Sequence, residues 1–198
     1  AKEEFRTLGV VRPFICFHNR DASYLETVSP GRAWSYHDYR DSSIFNLIPA
    51  IEKLVCRGYS CVRMGTHISE RSHKEGEENV PLYAATQKQS NLLDLYLSKE
   101  CSFFITGDTG MNIYPYMFNR PIVFHNWNVL AYLLRNIPYA LVLPKMYKSN
   151  ITGDLLTFDE MINGQLKNVS SSEDLSTLGL TSIENSGDEI SDVVEEMS

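Results

Sequence analysis

Two arginines and one glycine-flanked turn are the residues with the clearest chemical use. Arg20 and Arg63 carry planar guanidinium forks that can grip phosphate or carboxylate oxygens two at a time. Thr106-Gly107-Asp108-Thr109-Gly110 can bring backbone N–H groups close to an anion at a helix start. It follows neither G-x-G-x-x-G nor G-x-x-x-x-G-K-[ST], so it is neither a dinucleotide fingerprint nor a Walker loop. A ligand-cradling loop and a plain strand-to-helix turn capped by Asp108 or Thr109 both fit it. His18, two residues before Arg20, reads either as a proton acceptor or as a satisfied strand-end imidazole. Arg63 interrupts an apolar run, where an unpaired charge is costly, so it must meet an anion: a side-chain carboxylate or a bound phosphate.

Other polar groups cluster in the same places. Trp34-Ser35-Tyr36-His37-Asp38-Tyr39-Arg40-Asp41 is dense in aromatic and hydrogen-bonding groups and can either grip a base or sugar or form a polar surface loop. Trp127, after His125 and Asn126, is open to two readings, a ring that stacks on a ligand or a core tryptophan. The histidines have no H-E-x-x-H or other compact ligand spacing, which argues against a dedicated zinc site. No G-x-S-x-G elbow and no evident Cys-His pair supports covalent hydrolysis.

The elements that must position these groups follow from hydrophobic period. Pro13 to His18 and Tyr59 to Met64 are short, nearly continuous apolar runs of the kind found in buried strands. Between them Ile44, Leu47, Ile48, Ile51, Leu54 and Val55 form one helical stripe, with Pro49 in an early turn or at a kink and Gly58 at the stop. Ser90 is a cap candidate for a helix through Leu97, ahead of a strand at Cys101 to Ile105. Arg120 to His125 and Ala140 to Leu143 read as further strands. This alternation predicts an α/β domain, a mostly parallel sheet of about five or six strands between two layers of helices. Open sheets of that kind bind ligands beyond the carboxyl ends of their strands. His18-Asn19-Arg20-Asp21, Arg63-Met64-Gly65-Thr66-His67, Gly107 to Gly110 and His125-Asn126-Trp127 should therefore meet on one rim, a site for a phosphorylated or nucleotide-bearing ligand.

Composition narrows the class. The chain has 198 residues and a formal charge of -7, which argues against a nucleic-acid binder. Residues 151–198 hold 11 acids and one base, leaving 17 bases against 14 acids in residues 1–150. The longest apolar runs are a few residues, far short of the roughly 18 needed to span a bilayer, and the first residues do not read as a secretory signal. Cys16, Cys56, Cys61 and Cys101 read as buried thiols in a reducing compartment. Residues 69–79 are polar throughout and read as a surface loop. Capping-box spacings at Ser170/Glu173 and Ser186/Glu189 predict a helical tail, with Ile190, Val193, Val194 and Met197 on one face. The tail runs to the last residue without a terminator, as in a truncated form. The expected division is 1–12 as lead-in, 13–169 as the α/β core and 170–198 as helical cover.

Together, Phe17 to Asp21, His37 to Ile44, Gly58 to Gly65 and Arg120 to Trp127 resemble a bacterial glycosyltransferase family of GT-B style, and Leu155 to Glu160 and Ile183 to Ile190 add to the likeness over about residues 10–197. The resemblance implies the Rossmann-like, three-layer, nucleotide-sugar-binding half of a two-domain enzyme of the cytoplasm or the inner-membrane periphery. Such an enzyme transfers sugar, without metal or cofactor, from a nucleotide-sugar donor to a glycan or other hydroxyl acceptor. It further implies a second GT-B-like domain or a homodimer partner to complete the cleft. His18-x-Arg20 is similar to the His-x-Arg of fucosyltransferase-type enzymes, with the arginine neutralising the leaving diphosphate. The Gly107-Asp108-Thr109-Gly110 turn is similar to the donor-diphosphate loop of heptosyltransferase-type enzymes. His18, Asp21 and Asp38 are candidate bases; Arg63, Gly65, Asn126 and Trp127 are candidate donor contacts. Glu160 could accept from a ribose hydroxyl, cap a helix or pair with Lys145. The alternative function is a non-catalytic domain that binds a nucleotide or sugar phosphate and scaffolds a partner. An epimerase or dehydratase is disfavoured by the missing G-x-G-x-x-G.

Overall fold

The computed structural model describes residues 2–20, 22–66, 72, 74–86, 89–128, 130, 137 and 139–198. Helix α1 (Lys2–Arg6) precedes strand β1 (Phe14–His18), a short helix α2 (Ser23–Val28), helix α3 (Ile48–Cys56) and strand β2 (Ser60–Arg63). Next come α4 (Asn91–Glu100), β3 (Phe104–Thr106), α5 (Ile113–Met117), β4 (Ile122–Trp127) and β5 (Ala140–Pro144). The remainder is β6 (Met146–Ser149), α6 (Phe158–Asn163), α7 (Ser172–Thr177), β7 (Leu180–Ile183) and α8 (Gly187–Met197).

The protein is an α/β domain built on a five-stranded parallel sheet in the order β2-β1-β3-β4-β5, flanked by helices. The winding reverses between β1 and β3, the place where a doubly wound sheet leaves a crevice at its carboxyl edge. Strand alternation sorts the core into two layers. Ile15, Phe17, Cys61, Ile105 and Val123 face α3 and α8, whereas Phe14, Cys16, Val62 and Phe104 face α4 and α1. Ile190, Val193, Val194 and Met197 of α8 all belong to the first layer.

The helix predicted over residues 44–55 divides in two. A 3-10 turn, Ile44–Leu47, is capped by the Ser43 side chain, and α3 starts beyond it with Pro49 in its first turn, where the missing N–H costs nothing. Gly58, at φ +87, stops it. Ser90 caps α4, and Ser186 with Glu189 forms the capping box of α8. In place of the box expected at Ser170/Glu173, Ser171 is the N-cap of α7, its hydroxyl accepting from the Asp174 N–H, while the Asp174 carboxylate accepts from the Ser170 N–H. Cys16, Cys61 and Cys101 are buried, but Cys56 is exposed at the end of α3.

A smaller unit closes the carboxyl edge. β6 and β7 pair antiparallel over a second core of Tyr147, Met161, Leu166, Val169 and Leu175, against which Tyr39 also packs. The Asn126 backbone N–H donates to Asn185 Oδ1 (2.7 Å), and the Asn185 backbone N–H donates to Asn126 Oδ1 (2.7 Å). This reciprocal clamp ties β4 to the segment leading into α8.

Candidate functional site

Beside the reversal between β1 and β3 lies a cleft of about 360 Å³ lined by His18, Asn19, Arg20, Gly65, Thr109 and Gly110, among others. Three strand ends supply these residues. Alternation in β1 turns His18 to the same side of the sheet as Phe14 and Cys16, the side covered by α4. Gly65, at φ +104, leaves room for the imidazole: a Cβ there would stand 2.8 Å from His18 Cδ2. Thr109 caps the 3-10 turn Gly110–Asn112 with its hydroxyl, so the turn after β3 is both a helix cap and a wall of the cleft.

Arg20 reaches this cleft from a polar network. Its Nε lies 3.0 Å from Asp41 Oδ1 in a largely buried pair. Asn19 Oδ1 accepts from the Ser42 hydroxyl at 2.7 Å, and Asn19 Nδ2 donates to the Ser42 carbonyl, holding the loop in place. Burial weakens the hold of Arg20 on its proton, with Asp41 opposing and nearby Arg40 adding like-charge repulsion. Burial likewise pushes Lys145 down; its Nζ donates to the carbonyls of Tyr39 (3.0 Å) and Asp41 (2.6 Å). His37 is held below its usual value by burial and then by Arg20 and Arg40. Arg20 and Arg40 thus stand close together, each held by a carboxylate, Asp41 and Asp108.

Other predicted residues lie elsewhere. Asp108 is committed to Arg40, whose Nη2 and Nε lie 2.9 and 3.1 Å from its two carboxylate oxygens. Gly107 lies against His125, with its would-be Cβ 3.5 Å from the His125 carbonyl. Arg63 is 1% exposed and its Nη1 donates to Glu75 Oε1 at 2.6 Å, so of the two anionic partners open to it the structure supplies the carboxylate. The reason is alternation: Arg63 pairs in register with Phe17 and points to the α3 side, opposite His18. The polar segment of residues 69–79 is consequently not all surface, since Ser72 and Glu75 are buried. Asn126 occupies an irregularity of β4 at φ +49 and is spent on Asn185. Trp127 packs edge-on against Phe124 at 4.9 Å and is a core residue. Glu160 is exposed and completes the capping box of α6 with Thr157, and Lys145 is bound elsewhere.

Asp38 lines a separate groove of about 510 Å³ with Glu26, Arg32, Trp34 and Asp41. Arg20 and Asp41, one on each side, form part of the partition between the two hollows. Asp21 and His67 lie outside the described residues. The sequence reading missed Asn91, Asp94 and Tyr114, which line the cleft from α4 and α5. The available signal was Asp94 itself, a carboxylate within the run Leu92-Leu93-Asp94-Leu95.

Among the described residues no helix is long and apolar enough to cross a membrane, and no three His, Cys, Asp or Glu side chains gather to hold a metal ion. No protein-family model matches the chain, and no curated protein matches it. A solved structure, the crystal structure of the dodecameric iron-containing heptosyltransferase TibC in complex with ADP-D-beta-D-heptose, aligns with a TM-score of 0.44 at 14% identity. The alignment covers 95% of this chain and 46% of that one, so the chain spans about half the length of that protein.

Proposed function

We propose that this chain is the nucleotide-sugar-binding half of a glycosyltransferase, which moves a sugar from a nucleotide-sugar donor to a glycan or other hydroxyl acceptor. The observation that carries the reading is the convergence of His18, Arg20, Gly65, Thr109 and Gly110 from three strand ends on one cleft at the winding reversal. In the reaction the bond from the anomeric carbon to the diphosphate breaks and negative charge grows on phosphate. Arg20, already oriented by Asp41, meets that charge, a task that requires no metal. His18, which lines the same cleft, takes the proton of the acceptor hydroxyl. A second GT-B-like domain or a second copy of the chain completes the cleft and brings the acceptor.

Calorimetry with UDP, GDP, ADP, CMP and their sugar conjugates, with and without EDTA, tests the reading. Binding of at least one conjugate that survives EDTA is expected. A folded protein that binds none of the panel would remove the proposal. Binding without release of nucleoside diphosphate in the completed assembly would favour the scaffolding alternative.

A further inference from the structure

We propose that Asp94 binds the sugar hydroxyls of the ligand, so that the cleft reads phosphate at its Arg20 end and hydroxyls at its α4 end. This deepens the donor-binding reading and rests on it. Asp94 lies three residues after Asn91 on α4, and both line the cleft from the face of one helical turn. Tyr83 is 1% exposed and donates from its hydroxyl to Asp94 Oδ1 at 2.6 Å. Tyr83 does not line the cleft, so it holds one oxygen from beneath while the carboxylate still faces the hollow. Tyrosine thereby acts as a brace that fixes the direction in which Asp94 accepts.

The electrostatics say what should come to meet it. Among the described residues, burial and the Tyr83 hydroxyl perturb the Asp94 carboxyl, and burial dominates, holding it above the usual carboxylate range. A half-buried structural carboxylate is normally paired with a base, and among the described residues Asp94 has only the Tyr83 hydroxyl. Arg20, on the same cleft, answers instead to Asp41, Arg40 and Asp108. The two groups enter the cleft from different elements, Arg20 from the loop after β1 and Asp94 from α4. A phosphate beside Asp94 would add repulsion, whereas neutral donors satisfy it without a countercharge. Asn91 next to it both donates and accepts, so the pair suits hydroxyls that do both. The amide edge of a guanine offers the same kind of neutral donors, and the test separates the two.

The experiment compares wild type, D94N, Y83F and R20A of the full chain by calorimetry against inorganic pyrophosphate, UDP-glucose, ADP-glucose and GDP-mannose. Asparagine keeps an acceptor for Tyr83, and melting temperatures recorded on the same preparations verify folding. D94N should lose about tenfold or more in affinity for nucleotide sugars whatever the base, with pyrophosphate binding unchanged. Y83F should show a smaller loss in the same direction, and R20A should lose pyrophosphate. Undiminished sugar binding by D94N, or a loss confined to GDP-mannose, would overturn the assignment while leaving the donor-binding reading intact. A wild type that binds none of the probes would overturn both.

Discussion

Arg40 holds Asp108 in a fork, with Nη2 and Nε 2.9 and 3.1 Å from the two carboxylate oxygens and Nη2 also 2.9 Å from the Asp108 carbonyl. The glycine-flanked turn after β3 is thus anchored to the 3-10 helix Ser35–Arg40, and Thr109 and Gly110 inherit their position from that anchor. R40A should lower stability by roughly 1–3 kcal/mol and weaken pyrophosphate binding together. R40K should recover little, because an ammonium cannot span both oxygens and the carbonyl. Urea midpoints alongside calorimetry check this, and a fully competent R40K would refute the anchoring role.

Arg20 separates a binding role from a structural one. If it meets developing diphosphate charge, R20A should keep the fold and cost about two orders of magnitude in kcat/KM, equivalent to roughly 3 kcal/mol. D41N, which leaves the guanidinium but removes its orienting charge, should give a smaller loss. Initial rates on an assembly with its second half, with melting temperatures from the same preparation, discriminate. A lowered melting temperature with unchanged rate and affinity would move Arg20 out of the site.

His125 should give the protein an acid-side slope. It is fully buried, and burial, assisted by Lys145, pushes its imidazole down to about 4. The unfolded chain takes up its proton near the ordinary value of about 6.5. Stability from this group is therefore complete above about pH 6.5 and falls as the pH drops towards 4, by on the order of 3 kcal/mol. Unfolding free energies between pH 7 and 4 should show the decline, and H125Q should flatten it relative to wild type.

The Arg63–Glu75 pair is buried on both sides, each side chain 1% exposed. E75A leaves a buried charge without its partner and should cost roughly 3–5 kcal/mol, whereas the double variant R63M/E75L should recover much of the loss. Neither should change pyrophosphate affinity per folded molecule, because the pair faces away from His18. A double variant as unstable as E75A would mean that charge, and not packing, holds residues 74–80 on the sheet.

Local rules in the sequence settled most strands and helices of the five-stranded sheet, but not the hairpin of β6 and β7, the second of which lies in a tail read as helical. The apolar runs before His18 and Met64, the stripe from Ile44 to Val55, the caps at Ser90 and Ser186 and the stop at Gly58 all act over a few residues, so their consequences can be read without knowing what they pack against. The rim position of His18 and Arg20 was legible for the same reason, since a parallel α/β sheet places its strand ends together. Tertiary structure alone decided which polar groups share a cavity. Arg63 and His18 both end a strand, yet opposite parity and a carboxylate in the connection after β2 bury one and leave the other at the cleft. Asn126 and Trp127 were diverted by an irregularity in β4 and by Asn185, 59 residues from Asn126. Asp94 entered the cleft because α4 crosses the sheet beside β1, and nothing within its own helix specifies that neighbour. Parity, a bulge and a crossover are properties of the assembled sheet, and they set a side chain's surroundings where its own sequence neighbours cannot.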